Sequence, residues 1–432
     1  MLNRLGQSPE SDNLPPPMKL GVPQQEPGMA LHANAVPEGG PCSAKRITSR
    51  ADLAVNGAEP AFGAPLHVGR PWSPGRKRFL ELVEGMFERE WLTNDGPLVR
   101  EFERQVASYL GVRNCVATCN GTAAIEVAAR AAGLTGEVIV PAFTFIATAH
   151  ALSWQGLIPV FADIDPDTHQ VDPDCVRRLV TPRTGGILAV NVWGGSAPAA
   201  ELESIAREHG LPLLMDSAHG FGTAVDGRRI GWRGSAEAFS FHATKCLHSF
   251  EGGAIATDDD NLAARAREIR AFGLSGHDRS VRVGTNAKMA EVCAAMGIAN
   301  LEHVERAISA NRDSAHLYRD GLAGVHGIRL YWHPESCASN WQYSVVEVGP
   351  ECGCTRDEML SALRAEGVLA RRYFWPGCHR MEPYDGRREH APCPLPHTDA
   401  VASRVLALPT GPSLPHHAIA RVCEIIRVMA TR

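Results

Sequence analysis

The fold is constrained most by a regular alternation of short apolar runs with helical stretches. Five apolar runs, rich in β-branched residues, are separated by amphipathic segments such as 123–132 and 199–209. Strands that alternate with helices predict a mainly parallel sheet, which binds its ligands beyond the carboxyl ends of the strands. Two more strands are predicted further along the chain. The seven predicted strands are 115–118, 138–140, 159–163, 187–192, 211–215, 236–242 and 254–257.

Composition limits the classes of protein to which this chain can belong. The 432 residues are 44% hydrophobic and 21% charged, with a formal net charge of -5 at pH 7, which is typical of a globular enzyme. Because the chain has no broad positive field, nucleic acid is not an expected partner. There is no apolar run of roughly 18 residues and no secretory signal pattern, so neither a membrane span nor export is expected. We therefore expect a cytoplasmic protein.

The cysteines give no sign of a metal site. Twelve are present, and in a reducing cytoplasm they are expected to remain thiols. Two close pairs, Cys115 with Cys119 and Cys352 with Cys354, lack a matching second half at zinc-finger spacing. No metal is therefore expected.

Differences in composition along the chain predict its domain organisation. Residues 1–60 are rich in glycine and proline and have no sustained apolar period, which predicts a flexible N-terminal extension. Folded sequence is expected from near Pro65. A large domain over 61–310 would carry the sheet, and mixed strands and helices predict a smaller α/β domain over 311–432.

Lysine is scarce in this chain, and one lysine has unusual neighbours. Only five of the 43 basic residues are lysines, and Lys245 ends the segment Phe239-Ser-Phe-His-Ala-Thr-Lys, shortly before Gly252 and Gly253. A deprotonated lysine forms an imine with an aldehyde, which arginine cannot do. A surface lysine in an arginine-rich chain is the alternative. Lys245 is a candidate catalytic residue because of what the neighbouring strand ends supply.

A phosphate-binding site is predicted where the first strand ends. Asn120, Gly121 and Thr122 follow that strand and open a helix, whose N-terminus offers unpaired N–H groups and a partial positive charge. Gly121 lets a phosphate approach closely, and Thr122 adds a hydroxyl. Ser240, five residues before Lys245, would bring a second hydroxyl to the same phosphate. An ordinary helix cap is the alternative for the first segment.

Two further strand ends supply a carboxylate and an aromatic ring. Asp216 follows the apolar strand 211–215. A buried acid without a cationic partner is costly, so Asp216 is a candidate counter-ion for the protonated ring nitrogen of pyridoxal phosphate. Phe145 follows another strand and offers a face on which a ring can stack. A helix cap and a core phenylalanine are the alternatives for these two residues.

Six motifs occur in order along the chain. They are Asn120-Gly-Thr-Ala-Ala, Pro141-Ala-Phe-Thr-Phe-Ile-Ala-Thr, Asp216-Ser-Ala-His-Gly, Ser240-Phe-His-Ala-Thr-Lys, Glu251-Gly-Gly-Ala and Gly284-Thr-Asn-Ala-Lys-Met. Together they resemble the DegT/DnrJ/EryC1/StrS family of pyridoxal-phosphate-dependent sugar aminotransferases, over about residues 65–430. The resemblance implies fold type I, with a large mixed, mainly parallel seven-stranded sheet domain and a smaller α/β C-terminal domain.

The resemblance also implies which residues bind the cofactor, pyridoxal 5'-phosphate. Lys245 would form the imine with its aldehyde, and Asp216 would pair with the pyridine nitrogen. Gly121, Thr122 and Ser240 would hold the phosphate. These assignments agree with the chemistry of the side chains.

Three more positions correspond to functional residues of the family. Phe145 matches the ring-stacking position, and His219 matches a position that contacts the cofactor near its O3′ atom. Asn286 matches an asparagine that reaches the phosphate of the neighbouring subunit. The resemblance therefore implies a homodimer with shared active sites.

The activity implied by the resemblance is transamination of a nucleotide-linked keto sugar with L-glutamate as amino donor. Segment 371–379 combines cations, aromatic rings and an imidazole, as recognition of a nucleotide diphosphate sugar requires. The alternative interpretation of segment 371–379 is a core strand with solvated arginines. The candidate substrate contacts are Arg371, Arg372, Tyr373 and His379.

The substrate and the pathway are expectations from the same resemblance. This segment, with the motif at Gly284, looks like the branch that acts on dTDP-4-keto-6-deoxyglucose at C4, and action at C3 of a related sugar stays open. The family's products are deoxyamino sugars for antibiotics or surface glycans. A sugar dehydratase of the same fold would carry histidine in place of Lys245, and a non-catalytic relative would have lost part of this set of residues.

Overall fold

Strands and helices alternate through the first half of the computed structural model, which describes residues 46–276 and 278–431. The strands are β1 (Leu66–His67), β2 (Asn114–Thr118), β3 (Thr135–Pro141), β4 (Ile158–Ala162), β5 (Thr184–Val190), β6 (Leu213–Asp216), β7 (Ala224–Val225), β8 (Arg228–Arg229), β9 (Ala236–Ser240), β10 (Gly253–Thr257), β11 (Ile328–Leu330), β12 (Cys337–Ala338), β13 (Ser344–Val348), β14 (Val368–Leu369) and β15 (Val405–Leu408). The helices are α1 (Arg76–Glu88), α2 (Pro97–Leu110), α3 (Gly121–Ala132), α4 (Ala147–Ser153), α5 (Pro173–Leu179), α6 (Ala199–His209), α7 (Asp260–Arg270), α8 (Glu291–Leu301), α9 (Val304–Leu322), α10 (Arg356–Ala365), α11 (Pro396–Arg404) and α12 (His416–Ala430).

Seven of these strands form the central sheet, in the order β2-β10-β9-β6-β5-β3-β4. Neighbouring strands are parallel except at β10, which runs antiparallel to both β2 and β9. The prediction of a mixed, mainly parallel seven-stranded sheet is confirmed, and each predicted strand overlaps an observed one. Because helices connect the parallel strands, the carboxyl ends of these strands meet at one edge.

Helices cover both faces of the sheet. On one face, Ile125 and Ala128 of α3 pack with Leu214 of β6. On the other face, Leu202 of α6 packs with Met215 of the same strand. A strand that is buried on both faces needs apolar residues at nearly every position, which explains the continuous apolar runs in the sequence.

The last third of the chain adds a small antiparallel sheet, β11-β13-β15, and the helices packed on it. Tyr318 and Leu322 of α9 share a buried cluster with Val346 of β13 and Val422 of α12. The boundary expected between residues 310 and 311 thus falls inside α9, and the division into two domains stays a prediction. None of the described helices has both the length and the apolar character needed to cross a bilayer.

The folded chain begins earlier than the sequence pattern predicts. Ile47 and Leu53 are buried in the cluster that contains α12. Arg50 donates hydrogen bonds through Nη2 to the carbonyl oxygens of Met429 and Thr431, both at 2.9 Å. The prediction that the folded chain starts near Pro65 is therefore wrong, because Ile47 and Leu53 pack in one buried cluster with α12, a helix far away in sequence. The rest of the predicted extension, residues 1–45, lies outside the described residues.

Candidate active site

A cavity of about 430 Å³ opens where the parallel strands end. Its walls come from the ends of β2, β6 and β9, from the start of α3 and α4, and from the C-terminal part of the chain. The structure thus brings together most of the residues that the sequence singled out. The predicted site residues that line it are Gly121, Thr122, Phe145, Asp216, His219, Ser240, Lys245, Arg371 and Tyr373.

Lys245 lies in the tight turn that follows β9. Its backbone N–H donates to the carbonyl oxygen of His242 at 2.9 Å, and the next N–H, of Cys246, donates to Oε1 of Gln342 at 2.9 Å. Burial lowers the pKa of Lys245 to about 8, while the negative charge of Asp216 acts in the opposite direction. Desolvation disfavours the ammonium form, so a larger share of the amine is neutral near pH 8 than at a surface lysine.

Asp216 ends β6 inside the cavity and is only 4% exposed. Its Oδ2 accepts a hydrogen bond from the Thr148 hydroxyl at 2.7 Å, and its Oδ1 accepts one from the N–H of Ala218 at 3.0 Å. Burial raises the pKa of Asp216, and these two hydrogen bonds lower it. Asp216 forms no salt bridge within the described chain. A buried carboxylate held in this way is suited to a cationic ligand atom.

The start of α3 forms a cradle against the end of β9. Oδ1 of Asn120 caps the helix by accepting from the N–H of Ala123 at 2.8 Å, and the N–H groups of the first turn have no partner inside the helix. A Cβ atom at Gly121 would lie 2.7 Å from Cβ of Ser240, so only glycine allows this approach. The hydroxyls of Thr122 and Ser240 also line the cavity. These groups fit a phosphate.

His219 is held in a stack of aromatic rings. Its ring lies 5.9 Å from that of Phe374 at an interplanar angle of 13°, and Trp193 stacks on Phe374 at 5.1 Å and 9°. Burial lowers the pKa of His219 well below its usual value, so the imidazole is neutral. Its Nδ1 has no hydrogen-bond partner among residues 46–276 and 278–431. An unpaired buried nitrogen beside the cavity is suited to a polar group of a bound ring.

Three predicted site residues lie outside this cavity. Arg372 lies in a neighbouring groove. His379 is buried and its Nε2 lies 3.0 Å from Oδ1 of Asp399, so the structure does not support it as a substrate contact. Asn286 is exposed, and its Oδ1 accepts from Nζ of Lys288 at 2.5 Å.

The sequence did not single out several side chains that line the cavity. Thr148 lies four residues after Thr144 in the second motif, and this helical spacing places both hydroxyls on one side of a turn, 2.9 Å apart. Tyr343 directly precedes β13, and its ring packs edge-on against His219 at 5.0 Å. Glu251, which opens the fifth motif, lines the cavity beyond the turn that contains Lys245. Thr148 and Glu251 carried a local signal, because each belongs to one of the six motifs, whereas Tyr343 reaches the cavity through tertiary packing.

The fold and the cavity define a class of protein. A lysine with a lowered pKa, a buried acid and a phosphate cradle converge at the strand ends of a mainly parallel sheet, as in the fold-type I enzymes that use pyridoxal phosphate. The residues of the cavity fit pyridoxal phosphate. Lys245 is suited to its aldehyde, Asp216 to its ring nitrogen, and Gly121 with Ser240 to its phosphate. When bound, this cofactor supplies an electron sink that lets an amino group move between carbon atoms.

The chain belongs to the DegT/DnrJ/EryC1/StrS aminotransferase family, whose sequence profile matches residues 74–427. Its members are pyridoxal-phosphate-dependent, and this protein is a pyridoxal-phosphate-dependent aminotransferase.

Named relatives cover nearly the same length. The dTDP-4-amino-4,6-dideoxy-D-glucose transaminase of Escherichia coli is 31% identical over 360 residues, which are 83% of this chain and 97% of the relative. The GDP-perosamine synthase of Vibrio cholerae is 32% identical over 83% of this chain and 98% of its own. The crystal structure of DesI, determined in the presence of its TDP-sugar product, superposes with a TM-score of 0.85 and 49% identity, over 88% of this chain and 97% of DesI.

Proposed function

We propose that this aminotransferase transfers the amino group of L-glutamate to the carbonyl carbon of a nucleotide-linked keto sugar. The proposed acceptor is dTDP-4-keto-6-deoxyglucose, aminated at C4. The names of the Escherichia coli and Vibrio cholerae relatives and the TDP-sugar product of DesI support a nucleotide-linked sugar substrate. The product would enter deoxyamino sugar biosynthesis in the cytoplasm, for an antibiotic or a surface glycan.

The observation that carries the proposal is the position of Lys245 in one cavity with Asp216 and the phosphate cradle. We assign to Nζ of Lys245 the transfer of the proton from the donor carbon and its return on the acceptor side. A pKa of about 8 supports this role, since proton transfer is most efficient when the pKa lies near the working pH. Asp216 would stabilise positive charge on the cofactor ring, with Thr148 and Ala218 fixing the carboxylate.

Other residues of the cavity position the reactants. We assign ring stacking to Phe145, a hydrogen bond to the cofactor to His219, and phosphate binding to Gly121, Thr122 and Ser240. Arg371 and Tyr373 would contact the substrate. Nη1 of Arg371 donates to the Tyr373 hydroxyl at 3.2 Å, which limits the positions that the guanidinium can take.

We also propose a homodimer in which Asn286 reaches the phosphate bound by the neighbouring subunit. Asn286 is exposed and outside the cavity of its own chain. Phe272 and Val283, in the same loop, are 51% and 87% exposed. Apolar side chains exposed to this degree are suited to burial against a second copy.

The experiment that tests the function is an incubation with L-glutamate and a panel of nucleotide-linked keto sugars, followed by location of the new amine by NMR. An amine at C4 of the dTDP-linked sugar is expected. An amine at C3 would change the proposed position. If no sugar of the panel receives an amino group from glutamate, the proposal is disproved.

A further inference from the structure

One buried side chain from the C-terminal part of the chain holds the backbone on both sides of Lys245. Gln342 is 3% exposed and lies between β12 and β13. Its Oε1 accepts from the N–H of Cys246 at 2.9 Å, and its Nε2 donates to the carbonyl oxygen of Thr244 at 3.0 Å. The carbonyl belongs to the peptide bond that precedes Lys245, and the N–H belongs to the one that follows it. A single carboxamide therefore fixes both peptide groups of Lys245.

A second amide, two residues earlier, holds the turn that carries His219. Asn340 is fully buried, and its Nδ2 donates to the carbonyl oxygens of His219 at 2.8 Å and of Phe221 at 2.9 Å. Its Oδ1 accepts from the N–H of Gln342 at 2.9 Å. Segment 340–342 thus connects two turns that reach the cavity from different strands of the central sheet.

The residue between these two amides has an unusual backbone conformation. Trp341 has a φ of 52°, in the left-handed region that a bulky side chain seldom adopts. Such a conformation persists only where the surrounding contacts determine it. The ring of Trp341 packs against those of Trp332 and His333, with centroids 4.4 and 4.9 Å away. These contacts hold segment 340–342 in one arrangement, so both amides keep a fixed direction.

We propose that Gln342 is a positioning residue for the reaction, which holds Lys245 so that its amine points into the cavity. Gln342 itself borders a small crevice that also reaches Lys245, and it acts only through the backbone of that residue. Without its carboxamide, a buried N–H and a buried carbonyl would lose their partners, and the turn would shift to satisfy them. A displacement of about 1 Å of a reacting group can cost about 100-fold in rate. The inference rests on the role proposed above for Lys245.

The rate at which Lys245 forms an imine tests this role. Cofactor-free full-length protein is mixed with increasing pyridoxal phosphate, and the absorbance change gives a limiting rate and a half-saturating concentration. Gln342→Met keeps the length of the side chain and removes both hydrogen bonds. We expect its limiting rate to fall about tenfold or more, with the half-saturating concentration within about twofold, because Asp216 and the phosphate cradle are unchanged.

Gln170→Met is the matched control. Gln170 is 4% exposed, and its carboxamide binds the N–H and the carbonyl oxygen of one residue, Val192, at 3.2 and 3.3 Å. This variant loses the same two kinds of hydrogen bond away from Lys245, so both of its constants should stay at the wild-type values. A wild-type limiting rate in Gln342→Met, or an equal decrease in Gln170→Met, would overturn the proposal.

Two further measurements apply if Gln342→Met does not fold. Gln342→Asn keeps the amide but is one methylene shorter and cannot reach both peptide groups, so its limiting rate should fall about threefold or more. In the wild type, the amide of Cys246 should exchange its hydrogen at least about 100-fold more slowly than an unprotected amide. An unchanged rate in Gln342→Asn, or fast exchange at Cys246, counts against Gln342.

The same experiment separates this inference from the proposed function. Lys245→Ala should show no saturable imine formation, and wild-type behaviour in that variant would remove the role of Lys245 together with the inference that rests on it. If the limiting rate depends on both Lys245 and Gln342 but no keto sugar is aminated, the positioning role of Gln342 holds and the proposed function fails.

Discussion

The floor of the active-site cavity and its C-terminal wall are held in different ways. The floor is formed by Asp216 at the end of β6, Lys245 in the turn after β9 and Thr148 in α4, and its carboxylate is fixed by two hydrogen bonds. The wall, residues 371–375, exposes Arg371 and Trp375, buries only Phe374, and joins the small sheet through a bridge between Arg371 and Ala407. A buried polar network tolerates few changes, whereas exposed side chains change at little cost. We infer that the floor fixes the type of reaction and the wall fixes the substrate.

The largest effect is expected at Lys245, on the floor. Lys245→Ala should reduce amine transfer by about 10⁴-fold or more, because no other group can replace the amine. Its circular dichroism and unfolding midpoint should stay close to those of the wild type. Lys77→Ala, which changes an exposed lysine of α1, serves as control. Turnover with glutamate that survives in Lys245→Ala would contradict the assignment.

Asp216→Asn should have the next largest effect. Loss of the negative charge opposite the cofactor ring is expected to reduce kcat by about 10²–10³-fold, as for removal of a preorganised electrostatic group. The cofactor should also dissociate more readily, which equilibrium dialysis measures. Asp313→Asn, an exposed position on α9, is the control. Normal activity and normal cofactor retention in Asp216→Asn would show that the carboxylate has no such role.

A change far from the floor should affect stability and leave the chemistry intact. Leu53 is fully buried in the N-terminal segment that packs on the C-terminal core, so Leu53→Ala should lower the free energy of unfolding by about 2–5 kcal/mol. The kcat of the folded enzyme should not change. Val55→Ala, in the same segment at a side chain that is 50% exposed, should cost little. Equal unfolding curves for the two variants would contradict the observed packing.

Thr148→Val should have a smaller effect that depends on pH. The Thr148 hydroxyl lowers the pKa of Asp216, so its removal raises that pKa further. The charged carboxylate exists above its pKa, and activity should therefore be lost at a higher pH than in the wild type as pH falls. We expect a decrease of about tenfold in kcat at neutral pH. Thr144→Val is the control, because the Thr144 hydroxyl contacts Thr148 and has no hydrogen bond to Asp216, so this variant should shift the dependence of activity on pH less. The same dependence on pH in Thr148→Val and the wild type would contradict the role assigned to the Thr148 hydroxyl.

The smallest effect concerns the ionisation of Lys245 itself. Because burial lowers its pKa to about 8, the neutral amine should increase as pH rises through about 8 in the cofactor-free enzyme. Reductive methylation with formaldehyde, which modifies only neutral amines, should show this midpoint. Asp216→Asn should move the midpoint of Lys245 lower, because it removes a charge that raises this pKa. A midpoint at the value of a solvated lysine, about 10.4, would contradict the burial of Lys245.

Much of the floor could be predicted from the sequence, and much of the wall could not. Asp216 and Lys245 each follow an apolar strand, and the carboxyl ends of such strands meet in any mainly parallel sheet. His379 and Arg371, in contrast, are eight positions apart in one segment, yet only Arg371 reaches the cavity. Arg364 could not be identified from the sequence pattern, because it reaches the groove beside the active-site cavity from a separate element, α10.

The sequence by itself determined the central sheet, the positions of the strand ends and the chemistry that they carry, because strand and helix periods and contiguous motifs are local properties of a chain. Only the tertiary structure decided that Ile47 and Leu53 pack on the C-terminal core, that His379 pairs with Asp399, and that Arg364 and Trp375 share a groove. These outcomes depend on contacts between residues that are distant in sequence. Such contacts are selected by how well apolar surfaces fit and charges pair in the folded protein.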